Sequence, residues 1–317
     1  MYKFFRFFNR NRKVIIRSIL IIIFILILIQ LLNFFTKRKN EDILNNKNKQ
    51  EDIVSATDMY NSLVSEKSSV TGETINTNKI TKDTDVITKF LDYCNIGNIE
   101  EAYELISNDC KESMFSTIEY FNSIYYTGVF AGEKKLYTIE NWVGDIYKVK
   151  ITENILSTGN AGEGNTKQDY ITVVEEDGER KLNINSYIGK SNINKQKDFE
   201  KINVNVLNEE KYMDYTIYNF EVTNNSDTDI ALDTLKNIDS MYVQDSSGAK
   251  YSAYTHELSQ QQLVVKSNSK SQLKIKYYSK YVSTKKIATI VFSKVILDYN
   301  RDINYDGWDF YQIYMNI

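Results

Sequence analysis

Proline is absent from the 317 residues, histidine occurs once (His256) and cysteine twice (Cys94 and Cys110). One imidazole and two thiols exclude most His/Cys metal-site patterns and thiol-relay chemistry. Net charge is lacking as well. With 39 Lys+Arg against 42 Asp+Glu the formal charge is −3, which gives no overall bias toward nucleic acid, and none is expected as a partner. The missing proline accompanies an abundance of Asn, Ile, Lys and Tyr, the bias of AT-rich coding, so Lys and Asn content alone identifies no partner. A convergent catalytic set is also missing. His256 has only Glu257 as an adjacent acid, residues 81–128 hold no histidine, and Glu175 and Asp177 fall in a turn. No catalytic or cofactor-binding residue is assigned, and neither enzymatic activity nor a cofactor is expected.

What is present is a single apolar run. Residues 18–35, SILIIIFILILIQLLNFF, contain no charge, and only Ser18, Gln30 and Asn33 are polar. At 1.5 Å of rise per residue, such a helix crosses a hydrocarbon core of about 30 Å. Its aliphatic and aromatic residues sum to about −7 kcal/mol of insertion free energy. Mean hydropathy for the whole chain is −0.42, so apolar character is concentrated at this end and one span is expected. Residues 1–17 carry Lys3, Arg6, Arg10, Arg12, Lys13 and Arg17 and no acid, whereas Lys37–Lys39 meet Glu41 and Asp42 at once. The positive-inside rule puts the N-terminus in the cytoplasm and the bulk of the chain outside. No small-residue cleavage site follows the run, so it reads as an uncleaved anchor in the cell membrane.

Residues 36–80 are mostly Asn, Lys, Ser, Thr, Glu and Asp, too polar to offset the cost of ordering. They read as a flexible tether spanning about 35–40 Å, with at most a short helix over 53–64. Next, Val86, Phe90 and Cys94, with Ile87 and Leu91, fall at helical spacing and stop before Gly97. Asn98-x-x-Glu101, Asp109-x-x-Glu112 and Ser116-x-x-Glu119 are three helix-start signals in quick succession. After Gly128 the period drops to two, predicting strands over 136–142, 146–153, 170–175 and 181–187, with Asp177-Gly178 as a hairpin turn. Gly159 to Gly164 form a loop with no helix after it, which argues against a phosphate cradle. Helices followed by an antiparallel sheet predict an α+β layer.

The stretch FLDYCNIGNIEEAYELISNDCKESMF and the strands after it resemble the nuclear transport factor 2-like cone, in which helices cover a curved antiparallel sheet. Gly97 to Tyr103 match the turn that ends the opening helix in bacterial surface versions of that family. The resemblance covers residues 81–190 and implies a fold. Enzymes built on that cone use an Asp or an Asp–His pair, and no such pair can be placed here.

Residues 191–197 read as an interdomain joint. From 198 to 317 no helix signal appears. Ile202/Val204/Val206, Leu263/Val265, Leu273/Ile275/Tyr277 and residues 287–297 predict seven or eight strands, with turns at 224–229 and 245–248. Residues 308–317, apolar on both faces, read as a central strand. This part resembles the immunoglobulin-like sandwiches of exported Gram-positive proteins, without the Cys…Trp…Cys framework of antibody domains.

Three constellations stand out. Cys94 and Cys110 could form a disulfide outside the membrane, or Cys94 could continue the Val86/Phe90 stripe as core. Asp302-x-Asn304-x-Asp306-Gly307 copies the opening of a calcium loop, but Ile313 stands where the twelfth-position Glu belongs, and an Asx-rich turn explains the same residues. Eight lysines and no acid lie between Lys266 and Lys294. Of these, Lys274, Lys276, Lys280, Lys285 and Lys286 outline a basic surface for an anionic envelope polymer, or a lysine-protected edge strand. The expected protein is a non-catalytic binding or assembly factor that meets a protein partner at the envelope. The alternatives are an assembly factor of a conjugation or secretion channel, and a small-ligand receptor or enzyme using the cone pocket.

Overall fold

The computed structural model describes residues 64–153, 166–299 and 307–317. Residues 1–17, the apolar run 18–35, the glycine-rich loop and Asp302, Asn304 and Asp306 lie outside the described residues. Among the described residues no helix is long and apolar enough to cross a membrane. The described chain is mostly β, with few helices.

The first helix, α1 (Thr77–Ile96), begins earlier than its apolar stripe suggests. The Asn76 side chain caps it by accepting the Asn78 N–H at 2.9 Å, and Gly97 ends it at φ 79°, a left-handed conformation suited to glycine. Its first turns are polar because their inward residues are paired. Asp83, 1 % exposed, accepts bonds from Arg180 Nε (2.7 Å) and the Tyr147 hydroxyl (3.0 Å) and pairs with Lys79. Residues 64–80 are therefore folded to a large extent rather than a free tether. Ser69 and Val70 donate their N–H groups to Asn141 and Trp142 on the first strand, and Thr77 to Ile80 open the helix.

Helices α2 (Ile99–Glu104), α3 (Asn108–Met114) and α4 (Ile118–Phe121) follow, the last running on through a π-helical stretch, Asn122–Tyr126. Two of the three expected start signals shift by one or two residues. Ser107 and Thr117 supply the capping oxygens, accepting from Cys110 and Tyr120, whereas Asn98 makes no side-chain cap. Short hydroxyl side chains in extended conformation reach the exposed N–H groups that Asp109 and Ser116 cannot.

Strands β1 (Lys135–Val143), β2 (Ile146–Glu153), β3 (Thr166–Glu176) and β4 (Glu179–Asn183) form an antiparallel sheet in that order. Asp177 (φ 52°) and Gly178 (φ 80°) make the expected hairpin turn. The sheet's inner residues, among them Tyr147, Val149, Ile171 and Leu182, bury against α1 and the rings of Phe90, Phe115, Phe121 and Tyr125. Each edge is met in part by other chain: Ser69 and Val70 bond to β1 at Asn141 and Trp142, and Leu105 and Ser107 bond to the backbone of Leu182 on β4.

The chain then turns sharply at Asn185 (φ 56°) and Ser186 (φ 61°) into β5 (Tyr187–Phe199). The Asp169 carboxylate holds this turn by accepting the N–H groups of Asn185 (2.9 Å) and Ser186 (2.7 Å) and the Tyr125 hydroxyl (2.8 Å). Residues 191–197, expected to be a joint, lie inside β5, which pairs with β6 (Ile202–Tyr212) from Tyr187 to Phe199 across a bulge at Asn192/Lys195. They are polar because they form an edge strand exposed on both faces, not because they are loose.

Two four-stranded sheets complete the fold. One has the order β12-β7-β6-β5, with β7 at Thr216–Asn224 and β12 at Ser269–Tyr277. The other has the order β10-β9-β13-β14, made of β9 (Met241–Asp245), β10 (Lys250–Ser252), β13 (Ile287–Val295) and β14 (Tyr311–Asn316). A small pair, β8 (Ile230–Ala231) and β11 (Val264–Val265), lies beside them. Inward residues of both sheets share one core in which Phe220 and Phe292 meet edge to face, 5.5 Å between centroids. One helical turn, Gln260–Leu263, appears where none was expected, closed by a Ser259–Gln262 capping box. The last strand is also placed differently from its expected central position. β14 pairs with β13 alone, burying Ile313 and Met315 and leaving Tyr311 and Tyr314 exposed at the sheet's edge.

Candidate functional site

The loop from β12 to β13 organises a lysine-rich concavity. Ser279, Tyr281 and Lys286 fix it. The Ser279 carbonyl accepts the Thr216 hydroxyl (3.2 Å), the Tyr281 N–H donates to Met213 (2.9 Å), and the Lys286 carbonyl accepts the Ser246 N–H (3.1 Å). A cavity of about 360 Å³ opens beneath, with Lys280, Lys285 and Lys286 from the loop and Lys211 from β6 in its lining. Glu209, paired with Lys211 at 2.5 Å, is the sole carboxylate side chain in that lining. Lys280 reaches Asp214 only at 4.0 Å. Lys285 lies over the Tyr251 ring (4.5 Å to the centroid) and donates to the Lys280 carbonyl. Burial lowers the pKa of its ammonium, and the charge of Asp245 works against that shift. Among the lining side chains four lysines outnumber the single glutamate, an excess of positive charge that suits an anion.

The five lysines singled out in the sequence divide into two sets. Lys274 and Lys276 do share the outer face of β12, but acids from elsewhere meet them. Glu210 lies 3.3 Å from Lys274 and Glu257 lies 2.9 Å from Lys276, whose ammonium also sits over the rings of Tyr215 (4.2 Å) and Tyr254 (4.4 Å). Lys280, Lys285 and Lys286 converge on the cavity instead. Lys211 and Glu209 were not visible from the sequence. They sit on β6, about 70 residues before the loop, and only strand pairing brings them there.

The interior of the helical half is filled. Phe90, Phe115 and Phe121 are fully buried, and the Tyr125 ring stacks on Phe121 at 5.8 Å. Two carboxyls have pKa values raised by burial, Asp169 on β3 and Asp233 after β8, each in a different core. Asp169 serves as the acceptor for the Asn185–Ser186 turn, so its hydrogen-bonding capacity is committed to structure. His256 is exposed, 3.9 Å from Glu257. No group of three or more His, Cys, Asp or Glu suited to a metal occurs among the described residues.

Cys94 and Cys110 are free thiols, both buried. This corrects the disulfide alternative: each packs in the core as a small apolar side chain. Burial pushes both thiols up to about 12. The native chain is therefore expected to take up almost no alkylating reagent at pH 8 and two equivalents once unfolded, with identical electrophoretic mobility with and without reductant. Mass spectrometry after timed alkylation reads the difference.

The chain matches no family model, no curated protein and no solved structure in the comparisons made.

Proposed function

We propose that this chain is a single-span membrane protein, N-terminus inside, that presents two folded modules at the outer side of the envelope and binds an anionic partner without catalysing a reaction. The observation that carries the reading is the lysine-lined cavity at Lys280–Lys286, where positive charge is gathered by a loop fixed at three points. The apolar run at 18–35 and the basic residues before it support the anchor and its orientation. Helices layered on β1–β4 agree with a cone of the nuclear transport factor 2-like kind, and the paired four-stranded sheets agree with an immunoglobulin-like sandwich. The aromatic filling between helices and sheet favours a binding module over an enzyme that works within the cone.

The test uses the full chain in nanodiscs and inorganic polyphosphate as the anionic probe. Lys285→Glu combined with Lys286→Glu is expected to weaken binding at least tenfold at 0.1 M salt, because two attractive charges become repulsive. Lys274→Glu, at a lysine already paired with Glu210, is expected to change it less than threefold. Equal affinity of the double variant and the unaltered chain would overturn the assignment of the cavity.

A further inference from the structure

Among the described residues, every edge of the four-stranded sheets but one carries a guard against strand addition. Ser69 and Val70 bond to β1 at Asn141 and Trp142, β1 itself carries Lys135 and Glu140, and Leu105 and Ser107 bond to β4 at Leu182. β5 carries Lys190, Lys195 and Lys197 and a bulge, β12 carries Lys270, Lys274 and Lys276, and β10 is only three residues long. These are the ordinary means of blocking strand addition. β14, YQIYMN, is uncharged and six residues long, and although the ladder shifts register between Phe292 and Val295 of β13, residues 313–316 pair with β13 without a break. Exposed aromatic side chains mark it, Phe310 at 40 %, Tyr311 at 39 % and Tyr314 at 50 %.

The direction of its free backbone groups follows from the ladder. The Ile317 N–H donates to Ala288, and Met315 and Ile313 lie opposite Ile290 and Phe292. Alternation along an antiparallel pair then turns residues 313, 315 and 317 toward β13. The N–H and C=O groups of Gln312, Tyr314 and Asn316 point away from it, and among the described residues no strand pairs with them.

This edge is continuous with the lysine cavity, because Ile317, directly after β14, lines that cavity together with Ile193 of β5. A second copy of β14 fits poorly. Self-pairing would bring the lysines of two β5 strands together, since β5 runs beside β14, with Phe199 6.1 Å from Tyr311. An extended strand that ends in acidic residues matches both features. We infer that β14 receives an extended segment of a partner protein as a fifth, antiparallel strand, with acidic residues preceding that segment seated among Lys211, Lys280, Lys285 and Lys286. Backbone hydrogen bonds supply the grip, and the cavity selects register and charge. In the antiparallel sense the segment's N-terminal end lies at the Ile317 end of β14, which sets the order acid first, strand second.

The inference rests on the anion-binding reading of the cavity, and the experiment separates the two. The full chain in nanodiscs is titrated with an acetylated peptide of four aspartates followed by Thr-Val-Thr-Val-Thr-Val, with the reversed order, and with polyphosphate. The acid-first peptide is expected to bind at least tenfold more tightly than the reversed one, and to slow amide hydrogen exchange at Gln312, Tyr314 and Asn316 at least tenfold. Tyr314→Pro removes an outward N–H that β13 does not use, so it is expected to abolish that preference and leave polyphosphate binding intact. Exchange in the unaltered chain gives the answer independently of whether the proline variant folds. If the three amides exchange at the same rate with and without the peptide while polyphosphate still binds, strand addition is wrong and the anion site stands. If neither ligand binds, both are wrong.

Discussion

Phe121→Ala is expected to lower folding stability by about 3–5 kcal/mol, the range for deleting a fully enclosed aromatic ring. Phe121 is completely buried, and four other rings surround it. Phe115 meets it edge-on at 5.7 Å, Tyr125 stacks at 5.8 Å, Tyr103 tilts against it at 5.8 Å and Phe90 lies at 6.3 Å. Those neighbours belong to α1, α2, the end of α3 and the π-helical stretch, so no single element can move to fill the void. The cavity term therefore adds fully to the lost transfer free energy. Phe121→Leu keeps much of the volume and is expected to cost about 1–2 kcal/mol. Urea unfolding followed by far-ultraviolet circular dichroism reads both, as a lower midpoint at unchanged slope. A loss below 1 kcal/mol for the alanine variant would mean that the five rings are not a close-packed cluster.

Tyr212→Ala is expected to cost about 3 kcal/mol and, more tellingly, to destabilise both halves at once. Tyr212 ends β6, a strand of the second half, yet its side chain is 5 % exposed and belongs to the core of the first. It packs on Tyr187 at 5.1 Å and stacks on Tyr215 at 4.4 Å. With β5 crossing between the halves, all the described residues belong to one compact unit. Trp142 reports on the first half and Trp308 on the second, so single-tryptophan versions allow each to be followed. Coincident unfolding of both probes, moved together by Tyr212→Ala, is the expected result. Two separated transitions in the unaltered chain would restore a flexible joint.

Much of the helical half was legible because its signals are local. Gly97 stops α1, Asp177-Gly178 turns β3 into β4, and the drop from a helical period to a period of two marks the start of β1. What was hidden depends on residues distant in sequence. The opening turns of α1 read as tether because Asp83 is stabilised by Arg180, 97 residues away. The Asn185–Ser186 turn has no glycine to announce it, since Asp169 supplies the acceptors that make two positive φ angles tolerable. Residues 191–197 look like a linker in composition because solvent bathes both faces of an edge strand, whose order comes from its partner β6. The five lysines were visible as a charge pattern. Which of them remain free was not, because Glu210 and Glu257 arrive from other elements.

The unbroken course of β5 has a mechanical consequence. Its thirteen residues extend about 43 Å at 3.3 Å each, with the helical half at one end and the sandwich along the rest. Tension applied to the sandwich reaches the helices through a rung-by-rung ladder loaded in shear, with no slack to take up first. A tug on one end is felt at the other.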